Sequence, residues 1–153
     1  AKPFAAVIDL DDKEFFTPGN MVDKINHYLS KTGQKELSDK GQIVRIILES
    51  LAMKYRSVFR ELEDVMDKTI PVVHIIGGGS QNDLLCQLTA NALGRTVISG
   101  PAEATSLGNI IMQALATGQI HSLSEGRGLI RHSFYLREYL PVDHAEWCMV
   151  PKS

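Results

Sequence analysis

Apolar side chains recur every three or four positions between residues 43 and 65, which is the most regular pattern in the chain. Residues 42–68 contain neither glycine nor proline, so they predict one uninterrupted helix, with Ser38 as its N-cap. About thirty residues at 1.5 Å each would extend for about 45 Å, so this helix would act as a spine. Its predicted apolar stripe is Ile43, Ile47, Leu51, Tyr55, Val58, Leu62 and Val65, widened by Ile46, Met53, Phe59 and Met66.

The chain ahead of the long helix follows a less regular pattern. Residues 1–17 place acidic side chains between apolar ones and predict irregular surface chain. Residues 17–20, Thr-Pro-Gly-Asn, predict a turn into a short amphipathic helix that ends near Gly33, followed by a polar linker over residues 34–39. The predicted apolar face of that short helix is Met21, Ile25, Tyr28 and Leu29.

Beyond Pro71 the period changes from that of a helix to that of a strand. Residues 72–76 are nearly all apolar and rich in β-branched side chains, which is typical of a strand buried on both faces. Three glycines follow at residues 77–79. Ser80 is the predicted N-cap of the next helix, and Gly94 ends it.

The same order then repeats. Residues 96–99 predict a second strand, and residues 102–117 predict a helix that Gly118 ends. Alternating strands and helices predict an α/β fold with short parallel strands and right-handed crossovers. Residues 123–139 predict a helix followed by extended chain, so the part from residue 121 to 153 is weakly defined and its last dozen residues are a loose tail.

Two strands are a small base for so many helices, and the first strand would present an unpaired apolar edge. We expect that edge to be covered by residues 4–10, by residues 134–140 or by a second copy of the chain. Self-association or marginal stability of the 153-residue chain is therefore predicted.

The charge, the hydropathy and the cysteine content argue against several classes of function and location. The net charge of −2 argues against partners bound by bulk positive charge, such as nucleic acid or an anionic membrane surface. The sequence contains no apolar run of about 20 residues, the length that spans a bilayer. Cys86 and Cys148 stand 62 positions apart and match no metal-ligand spacing, so we expect free buried thiols and a reducing, cytoplasmic compartment. The start at Ala1 shows no signal-peptide pattern, and the missing initiator Met favours a processed chain or a fragment.

The glycines between the first strand and its helix offer a close backbone approach to a ligand. Three familiar motifs are excluded there. No glycine in the chain precedes a lysine, as a P-loop requires, and Asn82 stands where both the dinucleotide fingerprint and the nucleophile elbow need glycine. A tight turn without any ligand remains an alternative, with Ser80 as a cap rather than a nucleophile.

Three segments, in their order and spacing, resemble one known family. Residues 75–82, Ile-Ile-Gly-Gly-Gly-Ser-Gln-Asn, are similar to the adenosine-contacting turn of the actin-like ATPases as it occurs in sugar kinases of the FGGY family. Residues 45–56 resemble that family's long helix, except that Ile46 replaces the usual alanine. Residues 100–109 resemble its later E-A-x-x-x-G-A helix, except that Asn109 replaces the final small residue.

The resemblance covers roughly residues 5–125. It implies that residues 1–153 form the C-terminal, nucleotide-binding part of the second of two actin-like (ribonuclease H-like) domains. Such enzymes use Mg²⁺ and move the γ-phosphoryl group of ATP to a sugar hydroxyl. Residues 7–9 and 16–21, together with residues 77–82 and 100–109, are most similar to the members that make L-rhamnulose 1-phosphate from L-rhamnulose. Kinases of the xylulose, fuculose or glycerol type remain alternatives.

The resemblance also implies which residues bind ATP or ADP. Gly78 and Gly79, with Gly77 beside them, would lie against the adenine and the α-phosphate, and Asn82 would form a hydrogen bond with the adenosine portion. The family's general-base Asp, sugar-binding groups and phosphate hairpins lie upstream of anything present here. This chain is therefore expected to hold no catalytic residue and no metal site, and to be inactive alone. An interaction domain that binds no nucleotide and a dinucleotide-dependent enzyme are the competing hypotheses.

Other polar residues receive structural interpretations. We interpret the acidic cluster Asp9, Asp11 and Asp12 as solvated loop, His74 as a core imidazole and Glu103 as a helix-dipole contact. We interpret Ala104 and Gly108 as a close helix-packing face. The remaining basic and aromatic side chains are interpreted as a solvated flank or an interdomain contact: Arg127, Arg131, Phe134, Tyr135, Arg137 and Tyr139.

Overall fold

The computed structural model describes residues 1–149, and strands and helices alternate in it as predicted. The α/β class is therefore confirmed. The elements are α1 (Met21–Lys31), α2 (Lys40–Met66), β1 (Val72–Ile75), α3 (Asp83–Leu93), β2 (Thr96–Ser99), α4 (Ala104–Ala116), α5 (Leu123–Ser133), β3 (Arg137–Tyr139) and α6 (His144–Cys148), with 3-10 helices at Lys13–Phe16 and Gly78–Gln81.

The predicted spine is confirmed, because α2 has 27 residues and extends for about 40 Å. Its N-cap is Asp39 and not the predicted Ser38. The Oδ1 atom of Asp39 accepts a hydrogen bond from the backbone N–H of Gln42 at 2.7 Å. Either residue type can cap a helix, but a carboxylate also interacts favourably with the positive end of the helix dipole.

The buried face of α2 differs from the predicted apolar stripe because it includes two charged residues, Glu49 and Arg56. Glu49 accepts hydrogen bonds from Arg45 Nε at 2.7 Å and from the backbone N–H of Phe4 at 3.0 Å, which offsets the cost of burying its charge. Beyond Arg56 most of the predicted stripe faces solvent, whereas Phe59 is half-buried and packs against the cluster that α3 forms with β1 and β2. The exposed apolar residues there are Val58, Leu62, Val65 and Met66.

The sheet has the strand order β1-β2-β3. β1 and β2 pair in parallel, with Val73 opposite Val97, so the two predicted strands are confirmed. The extended chain predicted near the C-terminus forms β3, which pairs antiparallel with β2, Ile98 standing opposite Glu138. β1 therefore stays at the edge of the sheet, and residues 134–140 do not cover it.

The prediction that β1 is buried on both faces is wrong. Only Val73 is fully buried, whereas Val72, His74 and the following Ile76 are exposed. His74 is consequently not a core imidazole. One face of the sheet packs on α3 through Val97, and the other face borders an open pocket of about 420 Å³ that Arg131 and Leu136 also line.

The N-terminal stretch is irregular, as predicted, but part of it belongs to the core. Ala6 and Ile8 are buried in a cluster with α1 and α2. The backbone N–H of Ile8 donates to Ser50 Oγ at 3.1 Å, and the backbone N–H of Val7 donates to the Gln34 side chain at 2.9 Å. Side chains of the neighbouring elements thus replace the missing backbone partners of this extended segment.

The last dozen residues are not a loose tail as far as the structure describes them. Trp147 on α6 is 2% exposed and packs with α2 and α3. Its ring meets Phe4 edge to face with centroids 4.9 Å apart, and its backbone carbonyl accepts a hydrogen bond from Arg56. Residues 150–153, the end of the predicted tail, lie outside the described residues.

Helix α4 begins two residues later than predicted and buries none of its side chains. Gly108 is exposed, and a Cβ placed on it would meet no atom within 4 Å. The predicted packing face at Ala104 and Gly108 is therefore not occupied by the described part of the chain. Within residues 1–149, no helix is both long and apolar enough to cross a membrane.

Candidate functional site

The four predicted nucleotide-binding residues lie within one six-residue turn between β1 and α3. Gly77 has φ +73°, a backbone angle that favours glycine, and it starts the turn. The turn is fixed to the loop after β2, because the N–H of Gly77 donates to the Pro101 carbonyl at 3.4 Å. In the same region, the N–H of Gly100 donates to the Ile75 carbonyl at 2.8 Å.

The helix cap in this turn is Asn82 and not the predicted Ser80. Asn82 Oδ1 accepts a hydrogen bond from the backbone N–H of Leu85 at 3.0 Å. Ser80 is buried instead and donates its hydroxyl to the Gly77 carbonyl at 2.6 Å, closing the 3-10 turn. Ser80 and Asn82 can both accept a hydrogen bond from a helix N-terminus, and the local geometry decides between them. Here Ser80 stabilises the 3-10 turn and Asn82, two residues later, caps the α-helix.

Capping the helix uses only one of the two polar atoms of the Asn82 side chain. Its oxygen is used by α3, whereas its amide nitrogen donates no hydrogen bond to any of residues 1–149. An amide nitrogen has two donors. Asn82 is exposed, so those donors are available to a ligand above the turn.

The glycines leave open space in front of the turn. A Cβ placed on Gly77 or Gly78 would meet no atom within 4 Å, and one on Gly79 would meet only the Ile75 side chain at 3.7 Å. Because Gly78 does not have a positive φ, its backbone would also accept another residue. The described residues would thus leave room for a side chain at position 78, so their packing does not explain why glycine stands there.

A separate open pocket of about 350 Å³ lies beside the turn. Ser80, Gln81 and Asp83 form one wall, and the loop after β2 with the aromatic pair Phe134 and Tyr135 forms the rest. None of the four predicted residues lines this pocket. The turn is therefore bordered by a pocket, and its glycines face the open side.

The sequence interpretation missed a hydrogen-bonded network at the first residue of α3. Asp83 Oδ1 accepts from Arg137 at 2.5 Å and from the Tyr139 hydroxyl at 2.8 Å. The bonds from Tyr139 and Arg137 hold the pKa of the Asp83 carboxyl below its usual value. Arg137 is exposed, as expected for a solvated flank, but the sequence pattern did not indicate that Arg137 and Tyr139 both bind Asp83.

A signal for this network is present in the sequence of α3. Its polar residues Asp83, Gln87 and Asn91 are spaced by four and so lie on one face of the helix. That stripe contacts the chain from residue 137 to residue 144. A polar stripe on an otherwise apolar, buried helix indicates a polar partner.

The remaining candidate residues do not form a second site. Both cysteines are free, Cys86 buried as predicted and Cys148 exposed, contrary to prediction. Burial raises the pKa of the Cys86 thiol. Glu103 precedes α4 without capping it through its side chain. Among residues 1–149, no three His, Cys, Asp or Glu side chains are grouped to hold a metal ion.

Residues 1–117 match the family model described as the FGGY family of carbohydrate kinases, C-terminal domain. The chain belongs to the FGGY family. The match includes the glycine turn, α3 and α4, and it ends one residue past α4. The later part of the chain, with α5, β3 and α6, is not included in this FGGY match.

The chain is also similar to part of several rhamnulokinases. It is 44% identical over 146 residues to the rhamnulokinase of Bacteroides thetaiotaomicron, covering 95% of this chain and 30% of that protein. It is 41% identical over 142 residues to the rhamnulokinase of Bacillus subtilis, covering 93% of this chain and 29% of that protein. The chain therefore spans about three-tenths of the length of these relatives.

Proposed function

We propose that the whole protein is a sugar kinase that transfers the γ-phosphoryl group of ATP to L-rhamnulose, giving L-rhamnulose 1-phosphate. Gly77, Gly78, Gly79 and Asn82 of this chain supply part of its nucleotide site. The observation that carries the proposal is the open turn between β1 and α3 in a member of the FGGY family. The sugar follows from the two rhamnulokinase relatives, whose similarity extends over more than nine-tenths of the chain.

The turn has the properties that a nucleotide requires. Glycine lets the planar base approach the backbone to van der Waals distance, and the space before Gly78 is free for it. The amide nitrogen of Asn82 offers a donor to the adenosine portion while its oxygen holds the end of α3. Phosphoryl transfer depends chiefly on positioning and on neutralising charge, so a rigid backbone turn is a useful part of such a site.

The catalytic machinery is assigned to the part of the protein outside this chain. Mg²⁺ bound with ATP would neutralise charge on the transferred phosphoryl group. We place the site for this ion in that other part of the protein as well. We also place the enzyme in the cytoplasm, where ATP is available and where free thiols such as Cys86 and Cys148 persist.

The nucleotide contact is tested by variants that separate binding from folding. Gly78→Val should fold normally, because a Cβ at this position meets no described atom within 4 Å and the backbone angle suits any residue, but it should block the base. Asn82→Ser keeps a capping oxygen and loses the amide donors, so it should weaken ATP binding by about 1–3 kcal/mol. Asn82→Ala should add a loss of helix stability of about 0.5–2 kcal/mol.

The measurement is ATP and sugar binding to the full-length protein by calorimetry, with thermal melting as the check on folding. Equal losses of ATP and sugar affinity in Asn82→Ser would mean that Asn82 supports the fold only. Unchanged ATP affinity in both Gly78→Val and Asn82→Ser would refute the proposed nucleotide site.

The reaction is tested by ADP release with ATP, Mg²⁺ and one sugar at a time. L-rhamnulose should be phosphorylated by the full-length protein, and xylulose, fuculose and glycerol should react far more slowly. The 153-residue chain alone should show no turnover, because no base for the sugar hydroxyl is assigned to it. Turnover by the isolated chain of about 1 s⁻¹, the low end for kinases, would overturn that assignment.

A further inference from the structure

The C-terminal segment (residues 137–144) runs along α3 and binds each of the three positions of its polar stripe in turn. At the start of α3, Asp83 binds Arg137 and Tyr139. One turn later, the Gln87 side chain donates to the Leu140 carbonyl at 2.8 Å. The spacing of four residues keeps these contacts on one face of the helix.

The far end of the stripe is attached in the same way. Asn91 Oδ1 accepts from the backbone N–H of Val142 at 3.1 Å and from Gln87 Nε2 at 2.8 Å. The Asn91 carbonyl lies 2.7 Å from His144 Nδ1. Asn91 is buried, so these bonds satisfy polar groups that would otherwise be costly.

The C-terminal segment is itself fixed to the sheet. Arg137 pairs with Ser99 and Tyr139 pairs with Val97 across the β2–β3 ladder. Their side chains therefore reach Asp83 from a backbone that β2 holds in place. Asp83 directly follows Asn82, the residue that caps α3 and contributes to the proposed nucleotide site.

We propose that Arg137 and Tyr139 are positioning residues for the nucleotide turn, holding Asp83 so that the first turn of α3 presents Asn82 in one orientation. This inference rests on the proposed function. The contact, which we call the Asp83 clamp, also pairs the Asp83 carboxylate with a cation, which partly offsets the repulsion between this carboxylate and the phosphates of ATP.

The two residues that bind Asp83, Arg137 and Tyr139, lie outside the part of the chain that matches the FGGY family model. Residues 118–149 come after the family match, which ends at residue 117. The matches to the two rhamnulokinases cover at least 93% of the chain, so they extend past residue 117 and through β3. Arg137 and Tyr139 therefore belong to the part of the chain shared with these relatives and not to the part matched by the family as a whole.

The test compares four variants of the full-length protein, with the KM for ATP, the KM for L-rhamnulose and kcat as readouts. Arg137→Gln should raise the KM for ATP by up to about fivefold, because its ion pair with Asp83 is half exposed and such pairs contribute about 1 kcal/mol or less. Tyr139→Phe should raise it by about twofold to fivefold through loss of one hydrogen bond. Arg137→Lys should restore part of the loss, and kcat and the KM for the sugar should stay within about twofold.

Glu138→Gln is the matched control, because Glu138 lies on β3 between the two positioning residues and its side chain lines the opposite face, beside Val72 and Ile98. It should leave the KM for ATP unchanged. An equal increase for Glu138→Gln would mean that any change in β3 disturbs the site, which would contradict a specific role for Arg137 and Tyr139.

A double-mutant cycle tests whether the Asp83 clamp acts through Asn82. Tyr139→Phe should have little further effect on the KM for ATP when Asn82 is already serine, because the oriented amide is gone. Additive effects would show that Tyr139 does not act through Asn82. An effect of Arg137→Gln without any effect of Tyr139→Phe would show a charge effect and would also overturn the positioning role.

The two proposals fail in distinguishable ways. If Asn82→Ser and Gly78→Val raise the KM for ATP while Arg137→Gln and Tyr139→Phe do not, only the positioning role is refuted. If all four leave it unchanged, the proposed nucleotide site is refuted with it. Should Arg137→Gln lower the melting temperature strongly, Tyr139→Phe decides, since it retains the ring and the ion pair.

Discussion

Helices α3 and α4 both have almost no charged residues, but they differ in how far they are buried. Each follows one of the two parallel strands, and α3 has a single charged residue while α4 has none. α3 nevertheless buries eight of its eleven residues, whereas α4 buries none of its thirteen. Ile110 and Met112 on α4 are 58% and 55% exposed.

The two helices differ in burial because different numbers of elements of this chain pack against them. Helix α3 is surrounded by α2, β2, β3 and α6, and the buried Trp147 of α6 packs against it. Among the described elements, α4 packs chiefly beside α5, where Gly126 allows Ile111 to approach closely. An uncharged helix with an apolar surface is expected to be buried in a larger assembly, so composition predicts burial, and the fold decides where it occurs.

The open surface also includes the outer face and edge of β1. Parallel strands are almost always covered on both faces. Among the described residues, one face of β1 and β2 packs on α3, whereas the other borders an open pocket and is only partly covered. This supports the expectation that the isolated chain self-associates or is only marginally stable. In the whole protein, we expect the remaining part of the polypeptide to cover this surface.

The largest predicted effect is a difference in stability between equivalent truncations on the two helices. Leu88→Ala on α3 should lower the free energy of unfolding of the 153-residue chain by about 2–5 kcal/mol, because it leaves a cavity. Met112→Ala on α4 should change it by about 0.5 kcal/mol or less. Urea denaturation monitored by circular dichroism measures both.

The comparison between the helices predicts a further change in the full-length protein. There Met112→Ala should also become clearly destabilising, because its side chain would then be buried. If Met112→Ala stays neutral in the full-length protein, α4 is a solvent-exposed helix and our explanation of its apolar surface is wrong.

A smaller effect is expected on association. The isolated chain should form oligomers at about 100 μM by light scattering, and Ile110→Ser with Met112→Ser should shift it towards monomer. Thr105→Ala on the same helix, which removes an exposed polar group, is the control. A wild-type monomer that melts above the usual range of about 45–65 °C would contradict the predicted self-association and marginal stability.

The smallest effect concerns pH and the end of α2. Arg95 binds the Glu63 carboxylate at 2.5 Å and 2.6 Å, and the Ile70 N–H donates to it as well. The bonds from Arg95 and from Ile70 hold the pKa of Glu63 below its usual value. The stabilisation is therefore fully present above the unfolded pKa of about 4.3 and is lost as the pH falls through the lower folded value.

Glu63→Gln should accordingly reduce the fall in melting temperature between about pH 7 and pH 3, measured by circular dichroism. Asp64→Asn is the control, because Asp64 makes no ion pair within residues 1–149. An unchanged pH dependence in Glu63→Gln would contradict the prediction, because it would mean that ionisation of Glu63 does not stabilise the fold.

The sequence by itself determined most of the elements and the turn, but not α6, which lies where a loose tail was predicted. Helical periodicity predicted the spine α2, β-branched runs predicted β1 and β2, and glycines marked the ends of α3 and α4, because these signals depend on neighbours within a few residues. The same local pattern placed Gly77, Gly78, Gly79 and Asn82 together in one turn. Their binding of nucleotide remains a prediction.

Only the tertiary structure decided which surfaces are buried and which polar groups meet. Glu49 and Arg56 are buried and His74 is exposed, against the expectation from their local patterns, because burial depends on what packs against each residue. The contact of Asp83 with Arg137 and Tyr139 joins residues more than fifty positions apart. A local pattern cannot specify such a pairing, since β3 must first join the sheet before its side chains can reach α3.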